Sequence, residues 1–564
     1  MKFLSFIPPR KSFRIVVDKI FRKQNFEIYK DILITNREVK TWGQQLIKED
    51  KNAPNFAILS FTDLPIHAKF HCLVAKSMQV RGYHPIIFSY SGNHFAHSYY
   101  RLFGLTDLLI WNKYSKELNL SNIDLEKEVY TLLPKTLTVV NAKSIVFHDV
   151  HIGEHALSMT CRKRVEGRLN LQDKNTFELF HDQLLNAMRS VLVAESYLDN
   201  YPIDKMLVRD AGYIPSGPIF EVALNRGVDC IVLEIGQRRS TWIFKRYTKQ
   251  TRGQHYFSLS PVTWERIKHE PWTKEIDDEV ENEFAGRYRP DSSDDTRRLQ
   301  SGKQIFSPDE VCKRLGLNPK FKTAVIFSHV AWDAAFFFGT GLFDDFEDWL
   351  FQTVKFVAST PECQKMNWIV KEHPFNVFKL QREKIKISSE QRLLKPLMPF
   401  PNHIKFMSAN TEINTKALFP LVNCVLTVNG TVGMEFPCYG IPAVISGTGR
   451  YNGYGFTIEP KTKAEYFEAL RNLYSILPLT GDIKQLARKH YYELVIGKQI
   501  SFEDIAPMEI KRIHEAQSDI HDNIHFTVKD LEEFHQARSI NLLVDWLASS
   551  NEPDLLDDKS IKRK

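Results

Sequence analysis

The sequence holds no run of apolar residues near the ~18 that a membrane-crossing helix requires, so no transmembrane span is expected in its 564 residues. Cysteine is scarce. The seven, Cys72, Cys161, Cys230, Cys312, Cys363, Cys424 and Cys438, are odd in number, widely spaced and never form CxxC. That argues against a disulfide framework or a zinc cluster and favours a reducing compartment. A dominant charge is also missing: 75 Lys and Arg against 68 Asp and Glu leave +7. Over this length that is too little for a nucleic-acid-binding protein, although it suits anionic substrates or a nearby anionic membrane. Internal repeats and low-complexity tracts are absent too.

What is present describes a folded chain. Hydrophobic residues make up 43% and charged residues 25%. The length exceeds what one core ordinarily holds, so two large domains with appendages are expected. The first ten residues contain Pro8 and Pro9 and lack the apolar centre of a secretory leader. The next segment gathers Phe13, Val16, Val17, Ile20 and Phe21 on one helical face, with Lys11, Arg14, Lys19, Arg22 and Lys23 around it. It is expected to dock on the protein's own body, an anionic membrane surface being the second reading. The expected location is the cytoplasm, with the inner face of the cytoplasmic membrane as a place of peripheral contact.

Strands and helices then alternate. Strand patterns occur at 56–61, 86–90, 144–147, 205–208 and 230–234, and helical patterns at 66–80, 175–199 and 214–226. This alternation predicts a doubly wound parallel lobe. An acidic and polar stretch at 275–295 marks a lobe boundary, or a helical arm crossing between lobes. A second series follows, with strands at 322–329, 367–370, 424–428 and 443–445 and helices at 349–359 and 464–474. The expected architecture is α/β: two Rossmann-like lobes facing a cleft. The expected divisions are an N-terminal basic extension (1–50), a first Rossmann-like lobe with its acidic linker (51–300), a second Rossmann-like lobe (301–480) and a helical C-terminal extension (481–564), with a frayed tail from Asn551.

Chemistry concentrates at the ends of second-lobe strands. Val428-Asn429-Gly430-Thr431 breaks a strand and opens a short helix, where N–H groups and the helix dipole favour an anion. Thr431 can cap that helix, and Glu435, four residues on, can face the same cleft and accept hydroxyls. Lys371-Glu372-His373-Pro374 ends another strand, with Lys371 offering charge and His373 a ring N–H. The glycine-rich loop 446–455 contains Arg450, suited to a phosphate or carboxylate, and Tyr451 and Tyr454, either of which can stack on a base. His329 and Asp333 follow the first strand of this lobe and are candidates for proton transfer. In the first lobe, Asp63 is a further candidate base. His151 and His155, with His148, match no tight zinc spacing and are assigned to an acceptor site, as are Arg238 and Arg239 in a basic strand-end loop.

Phe327-Ser328-His329 with Trp332-Asp333, Trp368 to Pro374, and Val428 to Glu435 with Tyr439-Gly440-Ile441-Pro442-Ala443 resemble bacterial capsule polysaccharide biosynthesis proteins, the group that includes Kdo transferases. The resemblance spans about 320–475. It implies a GT-B fold with the donor nucleotide in the second lobe, and gives His373 and Thr431, with Lys371 beside them, to the donor phosphate. Asn-Gly-Thr replaces the Ser-rich turn of many relatives, which leaves CMP- and UDP-linked donors both open. No DxD-like motif stands at a second-lobe strand end, so neither metal nor cofactor is expected, the nucleotide-sugar being a substrate. The implied activity is transfer of a sugar, a CMP-linked acidic sugar being favoured, to a surface polysaccharide or lipid-linked glycan. The alternatives are a CDP-glycerol-type phosphotransferase, a non-hydrolysing nucleotide-sugar epimerase and a non-enzymatic scaffold subunit.

Overall fold

The computed structural model describes residues 23–45, 52–118, 120, 125–290, 299–332, 335–377, 386–447, 449–509 and 522–557. The amphipathic segment around Phe13–Phe21 and the candidate Asp333 lie outside these residues.

Helix α1 (Lys23–Glu38) precedes the first lobe. That lobe runs β1 (Asn55–Leu59), α2 (Pro65–Val80), β2 (His84–Ser89), α3 (His94–Leu102), β3 (Leu108–Ile110), α4 (Ile152–Arg164), α5 (Lys174–Asn200), β4 (Lys205–Val208), α6 (Ser216–Asn225), β5 (Asp229–Ile235) and β6 (Thr241–Tyr247). Pro65 opens α2 at a position whose N–H has no helical partner anyway. Helix α7 (Lys274–Arg287), begun by a Thr273 cap, crosses to the second lobe. There follow β7 (Thr323–Phe327), α8 (Phe346–Ser359), β8 (Asn367–Lys371), β9 (Ile404–Met407), β10 (Cys424–Thr427), α9 (Val432–Glu435), β11 (Ala443–Ile445) and α10 (Lys463–Arg471). The chain ends with α11 (Gly481–Tyr492), β12 (Ile500–Ser501), β13 (Met508–Glu509), β14 (Asn523–Ile524), α12 (Leu531–Gln536) and α13 (Arg538–Ser549).

The first sheet has the order β12-β6-β5-β4-β1-β2-β3 and the second β11-β10-β7-β8-β9. The second sheet is wholly parallel, and in the first only β6 runs against the others, pairing antiparallel with β5 and β12. Both sheets are covered on both faces, which is why their strands read as unbroken apolar runs. In the first, Ala57, Leu59 and Phe88 face α4, α5 and α6, while Phe56, Ile58 and Ile87 face α2 and the C-terminal segments. In the second, Val325, Phe327 and Ile369 face α7, and Ala324, Ile326 and Trp368 face α8 and α10. The two parallel-sheet cores read from the sequence are thus the architecture of the chain.

Two sequence expectations are corrected. Residues 144–147 make no sheet strand: Phe147 and Val150 exchange backbone hydrogen bonds of 2.9 and 3.0 Å across a tight turn. His148 and Asp149 occupy that turn at φ 48° and 60°, a region that His and Asp tolerate better than most residues. The chain after Asn551 is also packed, not frayed, as far as Asp557, with Asp554, Leu555 and Leu556 buried.

Segment 481–564, expected as a helical extension, returns to the first lobe. It supplies β12 beside β6 and buries Phe502, Ile524, Phe534 and Leu543 against the first sheet. Asp554 anchors the return. It pairs with Lys498 and stands 3.7 Å from Lys245, all three side chains being shut off from water. Its other oxygen accepts Ser260 N–H at 2.7 Å and the Thr263 hydroxyl at 2.8 Å. Among the described residues, no helix is long and apolar enough to cross a membrane.

Because removing one partner strands two buried cations, Asp554→Ala should cost about 3–5 kcal/mol of stability by urea denaturation. A loss below about 1 kcal/mol, the worth of an exposed pair, would deny the tail its anchoring role.

Candidate functional site at the carboxyl edge of the second sheet

All five strands of the second sheet point one way, so the loops after β7, β8, β10 and β11 leave from one edge. Ligands of open parallel sheets bind outside that edge. Neighbouring strands lie about 4.8 Å apart, so β8 and β10, on either side of β7, bring their loops within about 10 Å.

Lys371 ends β8 on the face shared by Ile369 and Phe327, as the period of two requires. It is only 2% exposed, and its amine lies 5.8 Å from the centre of the Phe327 ring. Among the described residues, no acceptor hydrogen-bonds that amine. Burial, then the charge of Lys303, brings its pKa down to about 7, against a partial opposing pull from Glu372. Lys303 is itself lowered to about 8 by burial.

His373 is held by its backbone. Its N–H donates to Ser328 Oγ at 2.9 Å, and that hydroxyl donates to Glu390 Oε1 at 2.9 Å. Asn376 donates to both oxygens of the same carboxylate at 2.8 Å. Phe375 N–H donates to His373 Nδ1 at 3.2 Å, which puts the neutral ring's proton on Nε2. The His329 ring stands 6.2 Å from the His373 ring at 83°.

The turn after β10 is built from within. Gly430 N–H donates to Thr427 Oγ1 at 3.1 Å, and a Cβ on Gly430 would meet that oxygen at 2.8 Å. Asn429 Oδ1 accepts the N–H of Arg450 at 3.2 Å and its Nε–H at 3.4 Å. The Arg450 guanidinium lies 5.1 Å from the Phe257 ring centre. The Tyr451 hydroxyl donates to Gly430 O at 2.8 Å.

Three sequence expectations change here. Tyr451 is fully buried and braces the turn, offering no face to a base. Tyr454 likewise spends its hydroxyl on Leu259 O at 2.5 Å. Glu435 is 1% exposed, accepts the Tyr288 hydroxyl and pairs with Arg287 at 2.9 Å, so its carboxylate is occupied by protein groups. Thr431 begins a four-residue helix without a capping bond from its side chain; its hydroxyl oxygen instead accepts from Arg287 Nη2 at 3.1 Å.

Arg287, the last residue of α7, is the link that sequence reasoning misses. Its Nη1 donates to Gln237 Oε1 of the first lobe at 2.9 Å, while Nη2 serves Thr431 and Glu435 of the second. The only sequence signal was a basic residue closing an acidic helical arm. Glu390, too, lay in a segment with no strand-end pattern to mark it.

First-lobe candidates fall in separate places. Asp63 Oδ1 accepts Ala96 N–H at 2.8 Å, tying the loop after β1 to the first turn of α3. His151 Nδ1 and His155 Nε2 each bond Glu221, at 2.9 and 2.8 Å. Arg252 joins the same carboxylate at 3.1 Å and Glu154 at 2.9 Å. Burial alone would raise the Glu221 carboxyl, but the two histidines and Arg252 outweigh it and hold it well below the usual range. His148 pairs instead with Glu195 at 2.8 Å. Among the described residues, no three His, Cys, Asp or Glu side chains group to hold a metal ion. Arg238 pairs with Glu283 at 3.2 Å, and Arg239 Nε donates to Met508 O at 3.0 Å. Gln499 pins their loop, its Oε1 accepting the N–H groups of Gln237 and Arg238 at 2.6 and 3.0 Å.

No protein-family model and no curated protein matches this chain. Among solved structures it is similar to the β-Kdo 2,4 transferase KpsC of Thermosulfurimonas dismutans, with TM-score 0.32 and 15% identity over 51% of this chain and 79% of that one. The β-Kdo 2,7 transferase of the same protein gives TM-score 0.29 and 14% identity over 53% and 80%. The UDP-GlcNAc 2-epimerase of Neisseria meningitidis, bound to UDP-GlcNAc, gives 0.22 and 10% over 78% and 95%. Kdo transferases, the group that the second-lobe motifs resemble, are therefore among the structural neighbours. At these TM-scores the likeness carries nothing about reaction or ligand.

The turn can be tested by crowding it. A Cβ on Gly433 would lie 2.1 Å from the Tyr451 hydroxyl, so Gly433→Ala should cost about 1–3 kcal/mol in denaturant titration. An unchanged midpoint would mean that Tyr451 does not brace this turn.

Proposed function

We propose that the chain is a glycosyltransferase that moves a sugar from a nucleotide-activated donor, with a CMP-linked acidic sugar favoured, to a cell-surface polysaccharide or lipid-linked glycan, working at the inner face of the cytoplasmic membrane. The observation that carries this reading is Lys371, a buried amine without a hydrogen-bond acceptor among the described residues, beside His373 at the carboxyl edge of a parallel sheet. Such a group is costly to keep unpaired, and a donor phosphate would supply its partner.

In this reading Lys371 and the Nε2–H of His373 bind the donor phosphate, and the Asn429–Thr431 turn and Arg450 hold its other side. As the glycosidic leaving group departs, negative charge grows on the phosphate, and fixed positive groups stabilise it there without a metal ion. Thr431 can donate its own proton to the phosphate while Arg287 holds its oxygen. His329, whose ring stands 6.2 Å from that of His373, would take the acceptor's hydroxyl proton. The first lobe presents the acceptor, and closure of the lobes limits hydrolysis.

Thermal shift against CMP, UDP, GDP and CDP identifies the donor nucleotide, since stabilisation scales with ligand excess over Kd. The expected result is a clear preference for one of them that is lost in the double variant His373→Ala, Thr431→Ala, with transfer falling about 100-fold or more. Undiminished stabilisation of that variant would sink the site. Product analysis tests the reaction: a glycosidic bond supports it, whereas a phosphodiester product, or epimerised nucleotide-sugar formed without acceptor, replaces it.

A pH dependence follows. With a pKa brought down to about 7 by burial, Lys371 carries its charge below that pH and loses it above. Nucleotide affinity should therefore weaken as pH rises from about 6.5 to 9, and Lys371→Met should bind weakly with a flatter profile in calorimetry. A wild-type affinity independent of pH would count against Lys371 as a phosphate ligand.

A further inference from the structure

Where α7 meets the loop after β5, a cleft of about 380 Å³ opens between the first lobe and the chain crossings, lined by Gln237, Arg238, Arg239, Glu283, Arg287 and Arg289 among others. Glu279 also faces it, and Glu435 pairs with Arg287 from behind the lining, so four arginines against three glutamates leave one positive charge. Ile496 gives it one apolar wall, carried on a π-helical turn, Glu493–Gly497, of the kind that often accompanies functional sites. The volume falls at the small end of ligand pockets, enough for one sugar ring or a diphosphate, not a whole nucleotide-sugar.

The guanidinium groups here are not scattered surface charge. Gln499 fixes the loop that carries Arg238 and Arg239. The Arg287 side chain is only 10% exposed and is held between Gln237 and Thr431 at 2.9 and 3.1 Å. Planar, permanently charged forks fixed in this way match carboxylate or phosphate oxygens. We infer that this cleft binds an oxyanion, carboxylate or phosphate, on the acceptor, and that Arg287 seats it next to the donor turn. The acceptor assignment rests on the transferase reading, whereas oxyanion binding in the cleft stands without it.

The test uses the full chain with pyrophosphate, a short oligogalacturonate and a neutral oligosaccharide of equal length as probes in calorimetry. Arg239 and Arg289 are both exposed, so Arg239→Gln, Arg289→Gln should fold; its thermal midpoint is checked first. It should bind whichever anionic probe the wild type prefers roughly tenfold more weakly, and keep wild-type nucleotide affinity. Glu283→Gln, which frees Arg238 from its pair, should shift affinity the other way, about threefold tighter. The preferred probe tells a phosphate from a carboxylate, and wild-type binding should weaken with salt while the neutral oligosaccharide does not bind. The inference is overturned if the arginine double variant binds both anions as tightly as wild type, or if binding is lost only in His373→Ala. Should no nucleotide bind the wild type while the cleft variants behave as stated, the transferase reading falls and the oxyanion site remains.

Discussion

The two lobes depend on one buried carboxylate. Asp554 sits near the end of the described chain, yet its cationic partners come from β6 of the first lobe and from the segment that leaves the second. A carboxylate with no access to water needs that company, and here both lysines draw it far below the usual carboxylate range in spite of burial. The C-terminal chain therefore cannot detach from the first lobe without exposing two other charges. Its return also supplies β12 and a layer of apolar side chains over one face of the first sheet. The first lobe is complete only after the whole second lobe has been threaded through.

This threading makes two crossings between lobes, α7 outward and 493–499 back. They are stapled together where Arg488 of α11 bonds Asp277 at 2.6 Å and Glu281 at 2.8 Å, both on α7. Relative motion of the lobes must therefore bend both crossings near one place, and Arg287 stands at the inner end of α7 beside it. Its contacts with Gln237, Thr431 and Glu435 span the two lobes. Any rotation that opens the lobes there must break guanidinium bonds or carry Arg287 away from one side, so the state of the Asn429–Thr431 turn and the separation of the lobes are coupled through a single side chain.

The parts of this arrangement that follow local rules were legible in the sequence. Strands β1, β4, β8, β10 and β11 are short apolar runs followed by turn formers or polar strand ends. Strand β6, by contrast, runs antiparallel, and β12 has only two residues; neither carries a helix behind it to announce a crossover. A helical arm was one of two readings of the acidic stretch 275–295, but what Arg287 reaches was not legible, because Gln237 and Thr431 are 50 and 144 residues away in sequence. Tyr451 and Glu435 were misread for the same reason. Side-chain type indicates what a group can bind, and only the fold shows that a main-chain oxygen or an arginine already occupies it.

That distinction separates two classes of buried polar group in the second lobe. Glu435 is closed by Tyr288 and Arg287, and Glu390 by Ser328 and Asn376. Lys371 has no such closure, and the neighbouring Glu372 satisfies Oε2 on Ala409 N–H while Oε1 has no hydrogen-bond partner among the described residues. Buried polar groups are nearly always paired, so each exception asks for a reason. Here two such groups, one on Lys371 and one on Glu372, belong to consecutive residues at a strand end and carry opposite charges. An anion beside Lys371 would relieve the amine, and a hydroxyl of the attached sugar could donate to Glu372 Oε1. In the transferase reading proposed above, these two groups meet the polar ends of one ligand, while the Ser328–Glu390–Asn376 bonds hold the His373 backbone above them.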